Sequence, residues 1–276
     1  MKYGIDAPHA GECFHPRALA ELAFEAEKAG WDGFFISDSI GDSILIADPW
    51  IALSAIAMRT NRITIGTTVT PLPRRRPWKV ARETVTLDHL SDGRLVLGVG
   101  IGSPASGEYE RFGEDGDIKV RAKKLDESLD IISGLWTGER FEYEGEHFQL
   151  QKTQFRPPCL QVPRIPVWVG GEWPNMAPFR RAANWDGVYP IRHDETTLTP
   201  DNLQSILEYV SDFRTVDDSF DVIAQIGIAG DDRHRNLDLI ASYEEVGLTW
   251  AMLTIRPETR PFEESLRRVK IGPPLP

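Results

Sequence analysis

Thr60–Gly102 reads TNRITIGTTVTPLPRRRPWKVARETVTLDHLSDGRLVLGVGIG. Two apolar runs, Ile63–Val69 and Leu95–Gly100, flank a stretch of helical period, Trp78–Leu90. Asp92-Gly93 supplies the turn between that helix and the second run, since glycine tolerates the positive φ that ends a helix sharply. A strand, a helix and a strand in that order form a βαβ unit, whose two strands lie parallel. Both runs are nearly continuous rather than alternating, as expected of strands covered on both faces.

Working outward, the same alternation recurs along the chain. Further strands are expected at Lys2–Ile5, Gly33–Ile36, Val167–Val169, Gly187–Tyr189, Val222–Gly227 and Ala251–Ile255. Between them the periodicity predicts helices at Pro16–Ala29, Asp48–Met58, Lys119–Leu135, Asn175–Ala183, Pro200–Phe213, Arg235–Val246 and Phe262–Val269. Eight strands with eight helices make an α/β protein of the closed (β/α)8 TIM-barrel class. An open nucleotide-binding sheet is disfavoured because the first turn, DAPHAGECFHP, carries no GxGxxG. We expect one domain over residues 1–270 and a short tail at 271–276. An insertion at about 139–166, between the fourth helix and fifth strand, contains a strand–turn–strand signal around Glu144-Gly145 and a proline-rich connector. Such a segment either shapes access to the catalytic face or forms a surface hairpin.

Composition bounds the function. The 276 residues carry 42 acidic against 31 basic side chains, a formal charge of −11, which disfavours nucleic acid as a partner. No apolar run approaches the ~20 residues of a membrane span, and the N-terminus lacks a signal-peptide apolar region. Cys13 and Cys159 show neither metal spacing nor a disulfide framework, which fits a reducing cytoplasm and predicts no metal site.

The quoted stretch closely resembles the luciferase-like monooxygenase superfamily of flavin- and deazaflavin-dependent oxidoreductases. EAEKAGWDGFFISDS (residues 25–39) and IPVWVGGEWPNMAPFRRAANWDGVYP (residues 165–190) follow in the expected order and spacing. The resemblance implies a barrel enzyme acting on a small organic substrate, by hydride transfer or oxygen activation, with coenzyme F-420 or FMN as cofactor. It also implies a homodimer, for which Trp50 and Trp78 would serve unless they pack inside one subunit. Two rivals are a flavin-binding barrel without turnover and a metal-free isomerase or aldolase. The latter needs a catalytic Lys at a strand end, and none of the predicted ends has one.

Barrel enzymes keep their sites at the C-terminal ends of the strands. There the resemblance places a bulge with a non-proline cis peptide at Thr68–Val69, propping the cofactor ring. Gly100 and Gly102 are expected to form a bare cofactor wall, whereas Gly98 suits core packing. Gly170 and Gly171, with the helix-start amides of Asn175 and Met176, are the expected phosphate cradle. TLDHLSDGR reads as structure: Asp88 and Ser91 hydrogen-bond backbone, and His89 ends a helix. Asp38 matches the Asp that deazaflavin members carry after the second strand, but Ser39 replaces their His. The Arg-x-His of alkanesulfonate-type monooxygenases is also missing from DVIAQIGIAG. His9, Asp38 and His193 remain as catalytic candidates, histidine for its titration near neutrality. Asp6, Glu108, Arg192 and Arg256 stand nearby in sequence order. Arg74–Arg76 either binds an anion, such as a phosphate or the polyglutamate tail of F-420, or forms a solvated loop or subunit contact.

Overall fold

The computed structural model describes residues 1–7, 11–41, 45–192, 197–215, 218–226, 233–255 and 261–274. Along the chain the elements are β1 (Lys2–Ala7), α1 (Pro16–Ala29), β2 (Gly33–Ile36), α2 (Pro49–Arg59), β3 (Thr64–Thr67), β4 (Thr70–Pro71), α3 (Pro77–Leu90) and β5 (Leu95–Gly100). They continue as α4 (Glu108–Arg111), α5 (Ile118–Trp136), β6 (Arg140–Glu144), β7 (Gln149–Gln154), β8 (Val167–Trp173), α6 (Ala177–Ala182) and β9 (Gly187–Arg192). The last are α7 (Pro200–Ser211), β10 (Asp221–Gln225), α8 (Arg233–Glu244), β11 (Trp250–Thr254) and α9 (Phe262–Ile271). Parallel pairing runs β3-β2-β1-β11-β10-β9-β8-β5, and β5 pairs back to β3. That last pairing closes an eight-stranded barrel. The helix ends follow local chemistry: Pro16 opens α1, Gly30 closes it at φ 91, and the Asp48 carboxylate accepts from Ile51 N–H to cap α2.

Closure leaves no open channel. Phe35, Val96, Trp168, Tyr189, Ile223, Trp250 and Met252 fill the interior, and the rings of Phe35, Trp168 and Trp250 pack at centroid distances of 5.0–5.7 Å. Val69 and Ile191, partly buried, cap this column towards the C-terminal ends of the strands. A ligand therefore meets the barrel at its ends, not along its axis.

The N-terminal end is held by polar clamps. Glu27 accepts hydrogen bonds from the amides of Asn61, Arg62 and Ile63. The Arg94 guanidinium donates to the carbonyls of Ala57, Thr60, Ile63 and Ser91. Within TLDHLSDGR, Asp92 (φ 55) and Gly93 (φ 75) make the turn. Asp88, fully buried, accepts from the amides of Leu160 and Gln161 and from the Gln161 side chain. The motif thus fastens the proline-rich connector beneath the barrel. The hairpin β6–β7 packs outside on α5, where Glu127 accepts from the amides of Glu146, His147 and Phe148. Trp50 is buried, and Trp78 packs edge-on against Phe148; both serve this chain's own packing.

Glu27 gives a pH-dependent handle. Burial works to raise its pKa, but the amides of Ile63, Arg62 and Asn61 outweigh it and the net value is lowered. A carboxylate with a depressed folded pKa stabilises fully above its unfolded value, about 4.3, and loses that contribution as pH falls through the folded value. In urea unfolding, wild type should exceed Glu27→Gln by about 1–3 kcal/mol at neutral pH. The gap should close below about pH 4; a gap unchanged down to pH 3 contradicts the assignment.

Candidate active site at the barrel mouth

Between β3 and β4 the chain makes a detour. Gly66 pairs with Val96 and Thr70 with Val99, so four steps on one side answer three on the other. This is a bulge, and it ends the strand at Thr67 instead of Val69. The Thr68–Val69 peptide bond is cis, and both residues are half-buried at the mouth. The Val69 side chain stands where Gly100 and Gly170 lack one, while at Gly98 an added Cβ would collide first with the Thr67 carbonyl. A Cβ on Gly100 would meet Val69 Cγ2 at 2.9 Å, one on Gly170 would meet Cγ1 at 3.0 Å, and one on Gly98 would meet Cγ1 at 3.4 Å. The expected bare wall is therefore corrected. The space at Gly100 is filled by Val69, and that at Gly102 (φ 77) by Tyr109 and Pro71. These glycines make room for protein, and through it they set Val69 in the mouth.

Beside Val69 lies a polar network that crosses the barrel. Asp6 accepts from Thr68 Oγ1 at 2.7 Å and from Gln225 Nε2 at 2.8 Å, and the same Gln225 nitrogen lies 2.7 Å from Tyr189 Oη. Burial, and then the nearby Asp6 carboxylate, push the Tyr189 phenol well above its usual pKa, so it stays protonated. Sequence reading had noted Asp6 but missed Gln225 and Tyr189. The available signal was their place in apolar strand runs, Tyr189 within β9 and Gln225 at the end of β10, where a polar side chain facing the interior needs a partner.

Asp38 and the arginines meet on the rim. Asp38 Oδ1 accepts from Arg74 Nη2 and Arg75 Nη2, each at 2.7 Å, and Arg74 Nη1 reaches Glu108 Oε2. Glu108 Oε1 in turn accepts from Ile40 N–H at 2.8 Å. The Arg74 side chain is 3% exposed and that of Asp38 0%. For Arg75, burial works to lower the pKa but the Asp38 carboxylate outweighs it, so the net is raised. Both readings of this cluster are corrected for Arg74 and Arg75: neither is solvated nor open to an anion, because both neutralise internal carboxylates. Arg76 is exposed. Glu108 is buried in α4 rather than solvated in a loop. Asp38 Oδ2 is buried with no hydrogen-bond partner among the described residues.

The phosphate cradle is also corrected. Gly170 and Gly171 do not turn into a helix: β8 runs on to Trp173, because Gly170–Trp173 pair with Tyr189–Arg192 of β9. The helix starts at Ala177, two residues later than expected, and has only six residues. Its first amides are taken: Ala177 N–H by Asn175 Oδ1, Phe179 and Arg180 N–H by Met176 O; Pro178 has none. Met176 is thus the N-cap of α6, the Asn175 amide is taken by Glu172 O, and α6 itself offers fewer amides than a longer helix start would. His9, His193 and Arg256 lie outside the described residues. Among the described residues, no group of His, Cys, Asp or Glu is arranged to hold a metal ion. A hollow of ≈ 310 Å³ lined by Lys2, Glu27, Asp32, Arg62 and Trp250 opens at the opposite end, where Glu27 and Asp32 already bind backbone amides.

Known proteins share this plan. A family model described as luciferase-like monooxygenase matches residues 3–234. An F-420-dependent glucose-6-phosphate dehydrogenase of Nakamurella multipartita is 31% identical over 289 residues, covering 100% of this chain and 80% of that protein. The oxygenase component of a flavin-dependent trigonelline monooxygenase of Acinetobacter baylyi is 32% identical over 162 residues, 58% of this chain and 44% of that one. Several other curated relatives are matched over about half of their length. Among solved structures, an F-420-dependent secondary alcohol dehydrogenase in complex with an F-420–acetone adduct superposes with a TM-score of 0.81 at 17% identity, covering 99% of this chain and 98% of that one.

The rim cluster makes a stability prediction. Arg74→Met leaves Asp38 and Glu108 buried with reduced compensation, and breaking such a pair costs about 3–5 kcal/mol. Chemical denaturation should show a loss of this order; a change below ~1 kcal/mol would place the arginine in solvent, against the structure.

Proposed function

Because the chain belongs to the luciferase-like monooxygenase family, we propose that it is an oxidoreductase holding a flavin-type ring, that of coenzyme F-420 or FMN, at the barrel mouth. The single observation that carries the reading is the position of Val69. It is an apolar side chain kept half-open at the C-terminal end of a filled barrel, by glycines at 100 and 170 that give it room. Such a side chain offers a dispersion surface to a flat ring, and the filled column beneath it excludes water from that side. When bound, the ring supplies the hydride or oxygen chemistry.

The chain's residues then divide the remaining work. Thr68 and Val69 present the floor. Asp38 Oδ2, buried and unpartnered among the described residues, is the acceptor on the rim for a hydroxyl or N–H of the cofactor, a more specific role than general acid. Tyr189 stays protonated and so keeps its hydrogen on the network below. His9 and His193, outside the described residues, are retained as the proton-transfer candidates. The small organic substrate enters from the same end. F-420 ranks ahead of FMN on the likeness to the Nakamurella dehydrogenase, which spans the whole of this chain. The arginine cluster lends F-420 no support, since Arg74 and Arg75 are committed internally.

Titrating the purified protein with F-420 and with FMN, oxidised and reduced, tests the proposal directly. We expect saturable binding of F-420, or of FMN, and substrate-dependent change in the redox state of the one that binds. Binding of neither in either redox state would remove the proposal.

A further inference from the structure

Beyond Thr68 in the floor and the proton that Tyr189 keeps, the polar network beneath the mouth has been given no part in seating the ring. Its geometry is nonetheless specific. Asp6 leaves the end of β1, Thr68 the bulge after β3, Tyr189 comes from β9 and Gln225 from β10. Four strands thus send side chains to one point. The Asp6 carboxylate sits at the centre: Thr68 Oγ1 is on one oxygen at 2.7 Å and Gln225 Nε2 on the other at 2.8 Å. The Gln225 amide also bridges to Tyr189 Oη at 2.7 Å. Tyr189 is 3% exposed, and its protonated phenol is held against the same carboxylate.

A carboxylate that receives protein donors on both oxygens is well placed to hold and poorly placed to transfer a proton. Its mechanical consequence falls on the next residue along the chain from Thr68. Val69 is bounded by Gly100 and Gly170 on one side, where its Cγ atoms leave no room for a Cβ. On the other side, nothing in the bulge's pairing fixes it: the ladder to β5 stops at Gly66 and resumes only at Thr70. The Thr67 hydroxyl on Gly98 O and the amide of Thr68 on Ile36 O also tie this stretch, and the Thr68 hydroxyl on Asp6 is the side-chain tie next to Val69.

Resting on the reading that a flavin-type ring occupies the mouth, we infer that Asp6 is a positioning residue: through Thr68 it fixes the height of Val69 and so the seat of the ring, with Gln225 and Tyr189 holding Asp6 in turn. Asp6 acts through Thr68 and Val69 and need not touch the ring. The seat is set from two sides, by a hydrogen bond that holds the bulge and by glycines that admit it.

Two variants test the two sides. Thr68→Val keeps the shape and removes the hydroxyl that Asp6 holds. Gly170→Ala keeps the network and presses on Val69 Cγ1, where the added Cβ would lie at 3.0 Å. Three readouts are taken on each purified protein: the cofactor Kd by fluorescence titration, the visible circular dichroism of the bound cofactor, and the melting temperature without cofactor. A hydrogen bond to a charged group corresponds to roughly 10-fold or more in Kd. We expect Thr68→Val to weaken cofactor binding by about that factor and both variants to change the dichroism of the bound ring. Asp6→Asn, which keeps an acceptor for Thr68, should recover most of the affinity that Asp6→Ala loses. Unchanged Kd and dichroism in Thr68→Val and Gly170→Ala, with wild type binding normally, would overturn the positioning role. So would a loss of binding matched by a fall in melting temperature in both variants, since the network would then be holding the fold. Wild type binding neither cofactor is a separate result, and it removes the functional reading itself.

Discussion

Val69 fits where it does because residues 100 and 170 carry no side chain, and Gly98 in turn leaves room for the Thr67 carbonyl at the start of the bulge; much of the mouth follows from that crowding. Close-packed interiors do not absorb an extra methyl group without movement. A bulge that turns a valine inward must therefore be answered by missing atoms on the strands it faces. β5 and β8 provide them, and both meet β3–β4 or each other through the sheet. The glycines and the bulge form one arrangement, written in segments a hundred residues apart.

The barrel gives that arrangement its meaning. Its interior is filled from the N-terminal end upward by Trp250, Trp168 and Phe35, so no ligand reaches the mouth from below. Rigid clamps secure the far end, Glu27 and Arg94 among them. On the rim, Arg74 and Arg75 neutralise Asp38 and Glu108 so that two buried carboxylates remain beside the mouth. What stays partly open is the group of Asp6, Thr68, Val69 and Gln225, drawn from strands on different sides of the cylinder. A flat ring laid there meets an apolar floor and a fixed set of dipoles, the conditions under which a protein orients redox chemistry that the cofactor performs.

The barrel class was legible because each strand is a continuous apolar run followed by a helix of regular period, and those are local signals. Gly33–Ile36 and Leu95–Gly100 match their strands residue for residue, and Pro16–Ala29 its helix. The roles of the glycines were not legible, since a sequence shows that a side chain is missing but not which atom takes its place. At Gly170-Gly171 the glycine pair read as a turn, yet pairing with β9 carried the strand four residues further. Pro174 then breaks it, and α6 begins two residues later than its periodicity suggests and runs for six residues. Likewise Arg74 and Arg75 looked exposed in a proline-flanked loop, and only the tertiary fold brings Asp38 and Glu108 against them. Tyr189 and Gln225 went unread because each is an ordinary polar residue until the strands close and set them together.

Hydrogen–deuterium exchange with and without reduced cofactor tests the central claim most directly, because it reports where on the barrel the ring sits. A ring resting on Val69 should slow exchange at the amides of Val69 and its neighbours in the bulge and along Gly170–Trp173, leaving the amides held by Glu27 at the other end unchanged. Protection confined to the N-terminal end, or none at the bulge despite saturating cofactor, would contradict it.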